Sequence, residues 1–352
     1  MGAAILGTGG GGNPYVGRLR ARELLRQGLT LELLPFSALR DDDVVYEVGG
    51  IGAPVVGIEK IEKGDECLRA MQAVEHITGQ RATALIASEI GGSNALEPLI
   101  TAAQAGLPVI DGDGMGRAFP EVQMNTFMIY GHSGLPAALA DEKGNRVIIT
   151  GACSALWLER LARTVTVQMG AAAGMALAPM SGAQVRESAI PHTYSLALAL
   201  GEGVMQARAT RQDPVERVLA LTGGTRLFEG KISDVSRRID KGFSRGAVSI
   251  EGLGEDRGRV LSIDLQNENL VARVGDQILA SVPDLIILLD LESGEPITTE
   301  VLRYGFRVAV LGVPAHAKLK TKAALKVVGP AAFGYDHPFH PLLEVSRVLD
   351  SR

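Results

Sequence analysis

Cysteine is nearly missing from this chain: Cys67 and Cys153 are the only two in 352 residues. They form no metal-spaced pair, and a disulfide framework is excluded. Two lone thiols suit a reducing cytoplasm, where free Cys behaves as a small buried hydrophobe. Aromatic residues make up 4% of the chain, too few for the stacking platforms of single-stranded nucleic-acid binding. Positive charge is not in excess, with 35 Lys and Arg against 40 Asp and Glu and a net charge of -5, so nothing calls for a polyanionic partner. The most apolar later stretch, Val165 to Met180, is rich in small residues and too short and interrupted to span a bilayer. The opening Met1-Gly2-Ala3-Ala4-Ile5-Leu6 has no charged segment ahead of its apolar run, which is unlike a secretory signal. These absences point to a cytoplasmic protein of ordinary globular composition.

Glycine is what the chain has in excess, 43 of 352 residues against an average usage of roughly 7%. Many backbone positions therefore need positive φ or close approach. At about 150 residues per domain, the length predicts two domains. The first part alternates short apolar runs with helix-like segments, as a βα-repeating sheet does. Ala3–Gly7 reads as a first strand, Tyr15–Gln27 as a helix and Leu29–Leu34 as a strand stopped by Pro35. Asp43–Val48 reads as a strand before a turn through Gly49, Gly50, Gly52 and Pro54. A helix capped by Asp65 ends at Gly79; strand Thr83–Ala87, helix Asn94–Ala105 and strand Leu107–Ile110 follow, then strand Arg146–Thr150 and two helices, the second over Ser188–Ala209. From Leu221 the texture changes to short strand-like runs separated by Gly and Asp. The fold class is thus α/β, with an α/β N-terminal domain over residues 1–165 and a helical connection plus a β-rich α+β C-terminal domain over 166–352.

In an open α/β sheet, ligands bind outside the carboxyl ends of the strands, which selects four loops. Gly7-Thr8-Gly9-Gly10-Gly11-Gly12-Asn13-Pro14 satisfies G-x-G-x-x-G, with Glu32 twenty positions after Gly12. That spacing fits a dinucleotide fingerprint, although Asn13-Pro14 adds a stiff turn where a Rossmann helix would already have begun. The alternative is a tight turn shaping a pocket wall. Ser88-Glu89-Ile90-Gly91-Gly92-Ser93-Asn94 sets a carboxylate at a strand end. Asp111-Gly112-Asp113-Gly114-Met115-Gly116-Arg117 follows another strand directly. Two carboxylates two positions apart can share a proton, orient water or hold a hard cation, and Arg117 can clamp a planar carboxylate or imide. In Gly151-Ala152-Cys153-Ser154 the thiol of Cys153 sits where a helix begins, the place for a lowered thiol pKa, though a buried structural Cys is the commoner fate. No pair of histidines has a strong zinc spacing. The aromatic and histidine-rich tail Phe333-Gly334-Tyr335-Asp336-His337-Pro338 reads either as a pocket closure or as a docked terminus.

Taken together, the Gly7–Pro14 loop, the Glu89–Asn94 segment, the Leu107–Glu121 run and the Phe333–Asp336 tail resemble the S-methyl thiohydantoin desulfurase family, whose members are often encoded beside hydantoinase/oxoprolinase-type proteins. The resemblance implies an α/β domain joined to a β-rich one, and removal of methanethiol from an S-methylated thiohydantoin. Such chemistry adds water to the ring carbon that bears sulfur and needs a base, a donor to the ring and, in one reading, a Lewis acid. Asp111 or Asp113 would be base or metal ligand, Glu89 their partner, Arg117 the clamp on the imide and His337 an acid. Gly9, Gly10, Asn13, Gly91, Gly92, Asn94, Gly114, Glu121 and Tyr335 would border the substrate. A divalent cation such as zinc would draw on Asp111, Asp113, His132 and His192. The other readings are a dinucleotide-dependent enzyme and a non-catalytic partner of a hydantoinase/oxoprolinase-like complex. The small-residue stretch Val167–Met180 suggests a buried contact in a homo-oligomer.

Overall fold

The computed structural model describes residues 1–343 other than 54, 55, 57, 58, 241 and 242; Pro54 of the glycine-rich turn lies outside the described residues. Two sheets organise the chain. The first contains β1 (Leu33–Leu34), β2 (Val44–Gly52), β3 (Ala84–Ala87), β4 (Val109–Asp113), β5 (Ala137–Ala140), β6 (Arg146–Ile149), β7 (Ala172–Ala176), β8 (Met180–Ser181) and β9 (Ile190–Pro191). Its order is β1-β4-β3-β2-β7-β5-β6, with β8 beside β2 and β9 beside β4. The β1-β4-β3-β2 half is parallel and the β2-β7-β5-β6 half antiparallel. Every residue of β3 and β4 is buried, as strands covered on both faces require.

The second sheet contains β10 (Thr225–Asp240), β11 (Phe243–Gly252), β12 (Val260–Gln266), β13 (Glu268–Val274), β14 (Gln277–Ser281), β15 (Leu285–Asp290) and β16 (Arg307–Val313). It is antiparallel throughout, in the order β14-β13-β12-β11-β10-β16-β15. The helices are α1 (Gly2–Leu6), α2 (Pro14–Arg26), α3 (Glu66–Thr78), α4 (Glu97–Ala105), α5 (Thr126–Ile129), α6 (Ala155–Gln168), α7 (Gly182–Ser188), α8 (Thr193–Ala209), α9 (Pro214–Thr222) and α10 (Lys322–Val328).

Strand β15 shows why the two sheets behave as one body. Its side chains alternate: Leu285, Ile287 and Leu289 join Ile5 and Leu6 of α1, Leu200 of α8 and the helices on the first sheet, while Ile286 and Leu288 join Phe228, Val248 and Ile263 inside the second. Each such fully buried aliphatic side chain contributes roughly 1.5–3 kcal/mol, so separating the sheets would expose the Leu285, Ile287 and Leu289 row.

Several local expectations are corrected. Ala3–Gly7 is not a strand; Gly2–Leu6 is helical. A short apolar run has no decisive period, and Gly2 lets α1 approach α8 so closely that a Cβ there would meet the Ala197 carbonyl oxygen at 1.7 Å. Of Leu29–Leu34, only Leu33 and Leu34 pair, with Val109 and Ile110. The helix expected over Ser188–Ala209 is broken: α7 ends at Ser188, Pro191 lies in β9, and His192 takes a left-handed φ of 63° before α8 begins. The helix expected over Asn94–Ala105 begins only at Glu97, and Asp65 stands at the start of α3 without a side-chain capping bond; the helix ends do follow the expected signals. Gly79 and Gly106 close α3 and α4 in the left-handed conformation, and the Asn13 side chain accepts from the Tyr15 N–H, with Pro14 starting α2.

Candidate active site

The carboxyl ends of β2 and β3 and the loop after β4 open into a cavity of about 630 Å³. Its remaining walls are the start of α2, strand β7 and, from the second sheet, Asn267 and Glu268. The glycine loop joins these parts. It leaves α1, a helix, so the strand on which the dinucleotide reading depends is absent. What the loop does instead is pack against two neighbours. On one side Gly11 and Gly92 face each other with positive φ, and a Cβ on Gly11 would meet the Gly91 carbonyl oxygen at 2.3 Å. On the other, a Cβ on Gly10 would lie 2.0 Å from Glu268 Oε1. Glycine at position 10 is thus the condition for a carboxyl from the second sheet to reach the cavity.

Six glutamates line that cavity: Glu47, Glu62, Glu89, Glu97, Glu121 and Glu268. Burial pushes Glu47 and Glu89 up to about 8. It lifts Glu97 to about 7 in spite of Arg20, raises Glu121, and drives Glu268 well above the ordinary carboxyl range, with the negative charge of Glu89 adding to the effect. Glu89, just beyond β3, accepts from Asn94 Nδ2 at 2.6 Å and from the Phe119 N–H at 3.0 Å. Glu47, in the middle of β2 and fully buried, accepts from Asn125 Nδ2 at 2.8 Å. The lining cations are engaged by the protein: Arg20 with Glu97 at 2.6 Å and with Glu62, Lys60 with Glu142 at 2.7 Å and two backbone carbonyls, and Arg163 with Glu159 at 2.7 Å and the Pro120 carbonyl. The result is a cavity whose buried carboxyls are held near neutral pH or above it. That is the condition for one to hold a proton while its neighbour takes one.

The residues singled out from the sequence fall into three groups. Asn13, Glu89, Asn94 and Glu121 line the cavity, and Gly9, Gly10, Gly91 and Gly92 belong to the loops beside it. A second group stands behind the wall. Asp113 Oδ2 accepts from the Ile90, Met115 and Gly116 N–H groups at 2.8, 3.1 and 2.8 Å, and burial lifts its pKa to about 7. Gly114 donates to the Ser88 carbonyl at 3.1 Å. Asp111 accepts from the backbone and hydroxyl of Ser195 at 3.0 and 2.6 Å, in the first turn of α8, and His192 Nδ1 is 3.5 Å away. Arg117 is wholly buried and donates to five oxygens: those of Ala118, Pro283, Asp284 and Asn269 on the main chain, and Thr8 Oγ1. Burial lowers its pKa to about 10 against the pull of Glu268, Asp284 and Glu89, so it stays charged at neutral pH.

The third group lies elsewhere. His132 contacts the Pro179 carbonyl at 3.4 Å. Tyr335 and His337 stack on each other with ring centroids 5.6 Å apart, and Tyr335 borders a different cleft, of about 340 Å³, on the second sheet. Among the described residues no three His, Cys, Asp or Glu side chains converge as a cation site, and Asp111, Asp113, His132 and His192 do not meet as one. Cys153 is exposed. Glu47, Glu62, Glu97 and Glu268 were not among the expected residues. For Glu47 a signal existed, a carboxylate inside the apolar run Val44-Val45-Tyr46-Glu47-Val48; Glu268, in Gln266-Asn267-Glu268-Asn269, looks like any polar turn.

An α/β body with an antiparallel second sheet, closing a carboxyl-lined cavity between them, defines the class of protein. The particular family follows from the comparisons. Residues 1–151 match the S-Me-THD-like N-terminal domain and residues 153–342 the S-Me-THD-like C-terminal domain, and the chain belongs to this family, that of S-methyl thiohydantoin desulfurase. A crystal structure of a protein from Chromobacterium violaceum is similar over 97% of this chain and 96% of its own, with 25% identity and a TM-score of 0.78. No curated protein matches the chain. No helix among the described residues is long and apolar enough to cross a membrane.

Proposed function

We propose that the chain removes methanethiol from an S-methylated thiohydantoin by adding water at the ring carbon that bears sulfur. The observation that carries this reading is that Glu89 and Glu268, from the two sheets, line one cavity with environments that set their proton affinities apart. Glu268, which burial and the charge of Glu89 raise well above the ordinary carboxyl range, is the neutral acid. Glu89, which receives two N–H bonds, is the group that becomes carboxylate and acts as base.

In the first step Glu89 takes a proton from water as the oxygen bonds to the ring carbon, the carbon–nitrogen π pair moves onto the ring nitrogen, and Glu268 protonates that nitrogen. In the second the carbon–sulfur bond breaks as the hydroxyl returns its proton to Glu268 and the ring carbon becomes a carbonyl, and the methanethiolate takes the proton held by Glu89, so both carboxyls regain their starting states. One water is consumed and one hydantoin and one thiol are formed, with no redox change. A cavity of about 630 Å³ is within the range of small-ligand sites and leaves room for a ring substituent. Membership in the S-Me-THD-like family supports the substrate class.

The test is thiol release from a panel of S-methylated thiohydantoins with different ring substituents, with and without added zinc. Stoichiometric methanethiol and hydantoin support the reading. No release from any member by the folded protein overturns it and favours another cyclic amide or a role as partner in a hydantoinase/oxoprolinase-like complex.

A further inference from the structure

We propose that Asn94 is a positioning residue, one that fixes the Glu89 carboxyl in place and keeps its Oε1 an acceptor. The inference rests on the assignment of Glu89 as base and goes on to name what holds it. An asparagine amide has two faces that are hard to tell apart by shape, and which one meets a carboxylate decides whether it helps or opposes ionisation. Here the choice is made by the backbone of β2. Asn94 Oδ1 accepts from the Gly50 N–H at 2.7 Å, and Nδ2 donates to the Gly50 carbonyl at 3.2 Å and to Glu89 Oε1 at 2.6 Å. Turning the amide over would set Oδ1 against a carbonyl and a carboxyl at once.

Gly50 makes room for this pairing, since a Cβ there would lie 3.1 Å from Asn94 Oδ1. The other carboxyl oxygen, Oε2, accepts from the Phe119 N–H at 3.0 Å, so both oxygens of Glu89 receive N–H donors before any substrate arrives. The charged groups facing Glu89 are Asp113 from β4, Arg117 from the loop after it and Glu268 from β13; the two carboxyls oppose ionisation and the guanidinium favours it. Glu47 repeats the arrangement. Its partner Asn125 has its own Oδ1 occupied by the Met128 N–H at 2.8 Å, leaving only Nδ2 for Glu47. In each case an amide is spent on the main chain in one orientation, which turns an ambivalent side chain into a fixed donor.

The experiment is a pH titration of the protonated-carboxyl infrared band in the full chain, without substrate. Glu89→Gln identifies the component that belongs to Glu89. In Asn94→Ala the midpoint of that component is expected to move upward by about one pH unit. The kcat/KM profile for methanethiol release should move with it while KM stays within about twofold. Gly50→Ala, which keeps Asn94 but crowds its amide, should shift the midpoint in the same direction by less, and serves if Asn94→Ala does not fold. An unchanged midpoint in the variants overturns the proposal, as does a rise in KM with the pH profile in place, which would make Asn94 a substrate contact. If the midpoint moves and no variant or parent releases methanethiol, the positioning role stands and the reaction assignment fails.

Discussion

Arg117 and the cavity glutamates lie within one interior and are built in opposite ways. The guanidinium has no exposure, yet every N–H it presents finds an oxygen, and those oxygens come from its own loop, the glycine loop, β13 and the turn before β15. Burial works against the charged form in Glu47, Glu89 and Glu268 as it does in Arg117, but lowering the guanidinium to about 10 leaves it charged at neutral pH, whereas raising these carboxyls leaves them holding protons. A buried charge that is fully paired ties the architecture together; one that is partly paired retains a proton that can move. On this ground we read Arg117 as the clasp between the sheets and propose the glutamates as the reactive groups.

The comparison is broken most severely at Arg117. Arg117→Met removes the donor from buried carbonyls, and a loss of about 3–5 kcal/mol is expected, read as a lower urea midpoint or as failure to fold. A variant of full stability with activity alone abolished would make the guanidinium a substrate clamp after all. Glu268→Gln should behave in the reverse way, holding its urea midpoint while kcat/KM for thiol release falls by about 10²-fold or more.

The glutamates also predict how stability depends on pH. Glu47 and Glu89 rise from 4.5 to about 8, and Glu97 and Asp113 reach about 7 from 4.5 and 3.8. The folded chain therefore keeps protons that the unfolded chain has released. Stability is fully present below the unfolded values and falls as pH rises through this window, each group adding up to about 1.4 kcal/mol per pH unit. Thermal unfolding from about pH 5 to about pH 9 should show the fall, and Glu47→Gln should flatten it. A parent curve that rises across that window would show that the carboxyls are ionised on folding. Smaller still is Ser195→Ala, which takes one hydroxyl from Asp111 and leaves the N–H bond. It should cost about 1 kcal/mol in a denaturation curve and leave turnover within about twofold. His337→Ala, in the half-buried tail where its ring packs against Tyr335 and away from the cavity, should leave turnover unchanged.

Much of this was legible from one chain. The alternation of strand and helix, the change of texture after Leu221 and the glycine stops at Gly79 and Gly106 all have local physical causes, and so were readable. Glu89 was readable because it stands at a strand end before a glycine pair, where α/β sheets bind ligands. The roles of the acidic loop were less so. Nothing in Asp111-Gly112-Asp113 says that one carboxylate turns to α8 and the other to its own loop, because that is decided by Ser195, far along the chain. Glu268 reaches the cavity only because two sheets meet over Gly10, a contact between distant segments with no local signature. The Ala3–Leu6 run misled for a related reason, since a short apolar segment takes whichever structure its neighbours bury.

The most direct test of the central claim sets Glu89→Gln beside the parent protein, measuring methanethiol release and thermal unfolding on the same samples. Release reduced by about 10²-fold or more with the unfolding temperature kept or raised at alkaline pH is the predicted result. Release that persists in Glu89→Gln would place the reactive carboxyl elsewhere, and release lost only together with the fold would make Glu89 a structural group like Arg117.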